Sequence, residues 1–135
     1  MAVKSACGVF VLVVLVTGAT GFLGRRVVRE LLERRHQVRC LVHTPGSERI
    51  FSHRAVEVQY GSVRDPAALS SAFYDVEAVV HLVGIIRRRR RDSFEDIHRE
   101  GTANVLAAAK SGTSMIIRLP IWRLPSPLRS GPRVI

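Results

Sequence analysis

The stretch VLVVLVTGATGFLGRRVVRELLERRHQV, residues 11–38, largely decides the fold. It begins as an unbroken apolar run and ends with apolar residues at helical spacing. Three glycines, Gly18, Gly21 and Gly24, stand between the two patterns. The β-branched run predicts a strand buried on both faces, and the second pattern predicts an amphipathic helix. We therefore expect a strand, a glycine-rich turn and a helix, in that order.

The remaining chain repeats this alternation of strand and helix signals. Strands are predicted at 9–16, 37–42, 55–59 and 78–83, with a short fifth strand at 115–119. Helices are predicted after the first strand, from Asp65-Pro66, where Asp65 is the N-cap and Pro66 the first helical residue, and from about Ser93 to Lys110. This order predicts an α/β fold, a Rossmann-type parallel sheet of about four to five strands with helices on both faces.

The glycines have a physical explanation at a strand–helix junction. Free N–H groups and the macrodipole at a helix N-terminus attract phosphate. We expect Gly18 to make the turn, Gly21 to let a diphosphate approach the backbone, and Gly24 to let the helix pack on the strand. The alternative is a tight turn without a ligand. The G-x-x-G-x-x-G spacing differs from the G-x-G-x-x-G of dinucleotide-binding folds.

Three segments resemble one superfamily. VTGATGFLGRRVVRELL is similar to the cofactor loop of the short-chain dehydrogenases/reductases, in their extended and atypical branches. AVVHLVGII is similar to their fourth strand, and GTANVLAAAKSG to the helix that follows. The combination most resembles NAD(P)H-binding proteins related to the nucleotide-binding accessory subunit of respiratory complex I. The resemblance covers residues 9 to about 113. We take residues 1–113 as an NAD(P)-binding Rossmann-like domain and residues 114–135 as a divergent Pro- and Arg-rich tail.

The resemblance implies a dinucleotide as ligand and a set of contact residues. With the glycine turn, it gives these cofactor-binding residues: Gly18, Thr20, Gly21, Phe22, Leu23, Gly24, His43, Ser62, Val63, Leu82, Val83 and Gly84.

The chain departs from the family pattern at three positions. Ser62 stands where the family has an aspartate that touches adenine, which weakens that site. His98 replaces the asparagine that opens the pattern on the last helix, and a structural role is favoured for it. Arg35 replaces the glycine that usually follows the first helix. A non-glycine residue is therefore predicted in a left-handed backbone conformation at Arg35.

The end of the second strand favours NADP(H) over NAD(H). A carboxylate there would hold the ribose 2′-hydroxyl of NAD, whereas a basic residue accommodates a 2′-phosphate. The sequence has His43 at this place and no carboxylate before Glu48. Arg25 and Arg39 are candidate helpers. The alternative is that His43 is only a surface turn residue.

The chain is basic, with 21 Lys+Arg against 11 Asp+Glu and a formal net charge of +10. The run RRRRR at 87–91 has two interpretations, a nucleic-acid patch or a solvated loop at the ligand-binding edge. No aromatic residues interleave with it, so nucleic acid is disfavoured as a partner. The sequence shows no metal-ligand pattern and no P-loop.

Composition also bears on the compartment. Two cysteines, Cys7 and Cys40, are too few for a disulfide framework, so a reducing, cytoplasmic location is expected with both thiols as bystanders. The apolar run near the N-terminus is too short to span a membrane. A signal peptide is the alternative for that run.

The segment after Gly112 departs from the superfamily, which continues with a catalytic Ser or Thr and a Tyr-x-x-x-Lys. Here a Pro- and Arg-rich segment follows, and we expect an extended, disordered tail that arose by truncation or a change of reading frame. A genuine basic tail that binds an anionic partner is the alternative. No catalytic residues are assigned, because the residues four positions after Tyr60 and Tyr74 are Arg64 and Ala78.

Three functions are compatible with these features. A non-catalytic NAD(P)H-binding protein is favoured over an oxidoreductase whose catalytic half lies elsewhere, and over a basic nucleic-acid-binding module. If the fifth strand is weak, the uncovered edge of the fourth strand predicts self-association or a protein partner.

Overall fold

The computed structural model describes residues 3–4, 10–51, 55–82, 94–109 and 115–118. The strands are β1 (Val3–Lys4), β2 (Phe10–Val11), β3 (Val13–Thr17), β4 (Gln37–Val42), β5 (Val56–Tyr60), β6 (Ala78–His81) and β7 (Met115–Arg118). The helices are α1 (Phe22–Glu33), α2 (Pro66–Ala72) and α3 (Phe94–Ala109), with a 3-10 helix at Ser47–Ile50. Within these ranges, no helix combines the length and apolar character that crossing a membrane requires.

Five strands form one parallel sheet in the order β5-β4-β3-β6-β7. Along the chain, β4 and β5 are added in turn on one side of β3, and β6 and β7 are then added on its other side. The order therefore reverses between β3 and β6, which is where open α/β sheets bind ligands, beyond the carboxyl ends of the strands. The predicted Rossmann-type α/β fold is confirmed.

Apolar clusters cover both faces of the sheet, because alternate residues of a strand point to opposite faces. On one face, Val14 of β3 belongs to a cluster that includes Val28 of α1. On the other, Leu15 packs in a cluster with Leu69 of α2 and Val105 of α3. The two layers of helices hold β3 at the centre of the molecule, with Leu15 and Val16 fully buried.

The first strand is not the single element predicted at 9–16. β2 pairs antiparallel with β1, and only β3 enters the parallel sheet. The neighbours explain the break: β4 begins at Gln37, opposite Val13, and β6 begins one position later. Leu12 between β2 and β3 instead accepts a hydrogen bond from the N–H of Gln37 at 2.9 Å.

The other elements lie within two residues of their predicted bounds. The strand predicted at 55–59 is Val56–Tyr60, and the strand predicted at 78–83 ends at His81. β7 pairs in parallel with the whole of β6. The short fifth strand predicted at 115–119 is therefore present as β7 and gives the edge of β6 a neighbour, an edge that was expected to be uncovered only if this strand were weak. Self-association stays a prediction.

Two predicted helix termini are confirmed. The side chain of Asp65 accepts a hydrogen bond from the N–H of Ala67 at 3.0 Å, with Pro66 as the first helical residue of α2. Arg35 follows α1 with φ 63°, and its N–H donates to the carbonyl of Leu32 at 2.9 Å. An arginine therefore occupies the left-handed position that usually belongs to glycine.

Candidate functional site

The carboxyl ends of the strands meet along one edge of the sheet. The register pairs Thr17 with both Leu41 and His81, and Val42 with Tyr60. The loops that follow β3, β4, β5 and β6 therefore leave the sheet side by side. All the predicted cofactor-binding residues that the structure describes lie on these loops or on the first turn of α1. Val83 and Gly84 lie outside the described residues.

The turn between β3 and α1 is closed by a hydrogen bond from the N–H of Gly21 to the carbonyl of Gly18 at 3.2 Å. Gly18 has φ 73°, in the left-handed region that residues with a side chain rarely adopt. The predicted role of Gly18 as the turn residue agrees with this geometry. Thr20 within the turn is half-buried.

Gly21 is the N-cap of α1 and is exposed. A Cβ there would lie 3.3 Å from the carbonyl oxygen of Gly18, so the surface above the turn is bare backbone. The N–H groups of the first helical turn have no carbonyl one turn earlier to accept them. Among the described residues no side chain caps them, and the first turn holds no acidic residue. This arrangement fits a pyrophosphate.

Phe22 and Leu23 are the first two residues of α1, so their backbone N–H groups lie at the helix N-terminus. The two residues are 73% and 43% exposed, and neither belongs to the apolar clusters on the two faces of the sheet. The guanidinium of Arg26 lies over the ring of Phe22, 5.4 Å from its centroid. The side chains thus leave the helix terminus open to solvent.

Gly24 lets the first turn of α1 lie against the backbone of the glycine turn, whereas the sequence predicted packing of the helix on the strand. A Cβ there would overlap the carbonyl oxygen of Gly18 and lie 2.7 Å from the Cα of Ala19. The first turn of α1 therefore packs on the backbone of the glycine turn itself, rather than on the body of the strand. The absence of a side chain at Gly24 fixes the position of the helix terminus.

A buried polar chain, which sequence reasoning missed, joins β3, β6 and α3. Thr17 Oγ1 lies 2.6 Å from His81 Nδ1, and His81 Nε2 lies 3.3 Å from Thr102 Oγ1. All three residues are buried. The only signal in the sequence is that Thr17 and His81 each close an otherwise apolar strand. This chain ties together the two strands at the switch point, where Leu82 also donates from its N–H to the carbonyl of Thr17 at 3.0 Å.

The loop after β5 is held by its own hydrogen bonds. The Ser62 hydroxyl accepts from the N–H of Arg64 at 3.2 Å, and its carbonyl accepts from the N–H of Asp65 at 3.0 Å. Val63 points into the core and is only 6% exposed. Of the two predicted adenine contacts, Ser62 is therefore the more accessible, and Val63 serves the packing of α3.

The family can be assigned once this geometry is described. A profile of the NAD dependent epimerase/dehydratase family matches residues 14–119, from the start of the central strand to the end of the sheet. The chain belongs to this family. The match contains the glycine turn, the switch point and the loop after β5.

Individual relatives agree with the family assignment. The chain is 32% identical over 105 residues to a protein named ceramide reductase from Caulobacter vibrioides (strain NA1000 / CB15N), and this covers 78% of the chain and 33% of that protein. The crystal structure of gox2253 superposes with a TM-score of 0.69 at 37% identity and covers 78% of this chain and 33% of that one.

A third relative was solved with a ligand. It is a short-chain dehydrogenase/reductase superfamily protein from Agrobacterium tumefaciens with bound NAD, at 32% identity and a TM-score of 0.66. The match covers 78% of this chain and 31% of that one. The predicted superfamily is confirmed, and the chain spans about a third of the length of each of these three relatives.

In this family member, the loop after β4 carries an exposed His43. Gly46 has φ 92° and donates its N–H to Glu48 at 2.7 Å. Hydrogen bonds from the backbone N–H of Glu48, from Tyr60 and from Gly46 lower the pKa of the Glu48 carboxyl. The same bond to Glu48 raises the pKa of Tyr60. The Glu48 carboxyl is therefore held by the backbone of its own loop and by Tyr60 at the end of β5.

Arg39 cannot help to bind a 2′-phosphate, contrary to the sequence-based expectation. One guanidinium nitrogen donates to the carbonyls of Ala72 and Tyr74 at 2.9 and 2.5 Å, which places it at the end of α2. Its Nε lies 3.0 Å from a Glu57 carboxylate oxygen, near enough for an ion pair but not aligned as a hydrogen bond. Arg25, the other candidate helper, is exposed on α1.

Neither tyrosine lies at the switch point. Tyr60 ends β5, two strands away from β3, and Tyr74 lies between α2 and β6, at the opposite edge of the sheet.

Burial raises the pKa of the Cys40 thiol to about 12, which makes it a poor nucleophile. Within the described ranges, no cluster of histidine, cysteine and carboxylate side chains is suited to a metal ion. Cys7 lies outside those ranges.

Proposed function

We propose that this chain binds an NAD(P)(H) dinucleotide along the carboxyl edge of its sheet, with the pyrophosphate at the N-terminus of α1. One observation carries the proposal: the bare glycine turn at Gly18–Gly21 leads into an uncapped helix terminus at the switch point between β3 and β6. A helix N-terminus with free N–H groups and no acidic neighbour favours an anion.

Substitution of Gly21 tests this proposal. Gly21→Val would place a branched side chain where the pyrophosphate must approach, and we expect at least about a tenfold loss of dinucleotide affinity, about 1.4 kcal/mol. Ala107→Val is the matched control, because Ala107 is exposed near the end of α3 and far from the carboxyl edge. Titration calorimetry with NADPH measures both. Equal affinity in a folded Gly21→Val variant would refute the pyrophosphate assignment.

The adenosine half of the site favours NADP(H) over NAD(H) in this proposal. His43 follows β4 at the place where NAD-binding folds put a carboxylate, and it is exposed to a ligand. Glu48, the nearest carboxylate in the loop, is already bound to the N–H of Gly46. Titration of both dinucleotides checks the preference, and His43→Asp should shift it toward NAD. Tighter binding of NAD by the wild-type chain would overturn it.

The chain of 135 residues is proposed to bind the dinucleotide without transferring hydride. The superfamily's reaction needs a tyrosine near the nicotinamide, and the two tyrosines lie elsewhere in the fold. The second candidate function is an oxidoreductase whose catalytic half lies outside these 135 residues. The observation that favours it is that this chain spans only about a third of the length of its relatives. Enzyme-dependent oxidation of NADPH with ketones or quinones would contradict the first proposal. We also propose a cytoplasmic location, supported by the two cysteines of the sequence, which are too few for a disulfide framework.

A further inference from the structure

Helix α3 contains two poor helix formers close together, Gly101 and Asn104. Glycine is among the least favourable residues in a helix interior, and asparagine is also less favourable there than alanine. Both residues contact Val63, the residue at the centre of the loop after β5. Their helix propensity cannot explain their presence, whereas a shared contact with that loop does.

The two contacts are different in kind. A Cβ at Gly101 would lie 2.7 Å from Val63 Cγ2, so the missing side chain lets the loop lie directly on the helix. Asn104 Nδ2 donates a hydrogen bond to the carbonyl oxygen of Val63 at 3.2 Å. Arg64 and Glu100 add an ion pair at 3.5 Å, but both side chains are about half exposed, and such pairs contribute little.

Other contacts hold the start of the loop: the N–H of Gly61 donates to the carbonyl of Val42 at 3.0 Å, and Gly61 lies against Ala68 of α2. The loop's internal hydrogen bonds, from Arg64 and Asp65 to Ser62, fix its local turn but not its position relative to the sheet. The position of the middle of the loop comes from the burial of Val63 and from the contact with α3. The loop ends at the carboxyl edge, where the proposed site receives the adenine ring.

We propose that Asn104 is a positioning residue, which holds the loop at 61–65 from α3 in the place where it receives the adenine ring, without touching the dinucleotide. This rests on the proposed function. Loss of the hydrogen bond frees the carbonyl of Val63 and lets the loop move away from the helix. Binding of the adenosine half of the ligand then weakens, while the distant pyrophosphate site at α1 keeps its geometry.

Asn104→Ala tests the proposal, with Ala103→Gly as a control of similar stability. Ala103 is exposed on the same helix, and its replacement by glycine weakens α3 without touching the loop. We expect Asn104→Ala to lower the affinity for adenosine monophosphate at least about fivefold and to leave inorganic pyrophosphate within about twofold of wild type. Ala103→Gly should leave both affinities unchanged. Equal losses in the two variants, or no loss in Asn104→Ala, would overturn the proposal.

Amide hydrogen exchange on the unliganded chain separates this inference from the proposed function. The N–H groups of Arg64 and Asp65 close the loop, and their exchange should accelerate at least about tenfold in Asn104→Ala relative to Ala103→Gly. Unchanged exchange would refute the positioning role, whatever the chain binds. A wild-type chain that binds neither NADPH nor adenosine monophosphate would refute the proposed function instead, since the exchange measurement needs no ligand.

Discussion

The turn after β3 and the loop after β5 lie on the same edge of the sheet, but different interactions hold them. The turn is built from neighbours in sequence: Gly18 reverses the chain, and Gly24 returns to pack on it six residues later. The loop after β5 also accepts a hydrogen bond from Asn104, which is 41 residues from Val63 in the chain. The first region is held by local backbone contacts, whereas the second also has contacts with α3, which is distant in the chain. Substitutions should therefore affect the two regions in different ways.

The largest expected effect tests how rigid the turn is. Gly24→Ala places a Cβ into the backbone of Gly18 and Ala19, which cannot move without opening the turn. We expect a loss of about 3 kcal/mol in the free energy of unfolding, measured by urea denaturation. Gly21→Ala is the control, because Gly21 is exposed and its new Cβ would only touch the carbonyl oxygen of Gly18 at 3.3 Å. This variant should lose less than about 1 kcal/mol in the free energy of unfolding. Similar losses for the two would show that helix packing does not constrain the turn.

The second prediction concerns the long-range contacts. His81→Leu leaves the hydroxyls of Thr17 and Thr102 without their buried partner, and we expect a loss of about 2 kcal/mol. Thr102→Val removes one hydroxyl at nearly constant volume. In that background, His81→Leu should cost less, because one of its partners is already gone. Additive costs in this double-mutant cycle would mean that α3 is not coupled to the strands through the histidine.

The third prediction uses the pKa of Cys40 to test whether the apolar cluster beneath α1 excludes water. The folded pKa of about 12 lies above the unfolded value of 9.0, so the folded state keeps a proton that the unfolded state loses. Stability should therefore fall as the pH rises above 9, by about 1 kcal/mol between about pH 8 and pH 10. Cys40→Ala should remove that slope. A slope that survives in Cys40→Ala would assign the effect to another group.

The smallest expected effect lies at the end of α1. Arg35→Gly relieves the cost of a left-handed arginine, offset in part by the greater freedom of glycine in the unfolded chain. We expect a gain of about 0.5 kcal/mol, seen as a higher midpoint in thermal unfolding. Arg34→Gly is the control and should destabilise, because Arg34 has φ −83° and gains nothing from glycine. A loss of stability in Arg35→Gly would show that its side chain contributes contacts that outweigh the strain.

Local features were predictable because they depend on residues close in sequence. The turn at Gly18, the cap at Asp65 and the left-handed Arg35 each follow from a few neighbouring residues. The end of the first strand was not predictable to the residue. Its break at Leu12 depends on where β4 and β6 begin, and the apolar run gives no sign of that.

The sequence by itself determined the α/β class, the parallel sheet and the position of the glycine turn, since hydrophobic period and glycine spacing act over short distances. Only the tertiary structure decided which strand ends lie together. It paired Thr17 with His81, 64 residues apart, and used Arg39 to bind the end of α2 rather than a ligand. Such choices depend on the strand order and on the alternation of faces within the assembled sheet, because partners distant in the chain become neighbours only when the core closes.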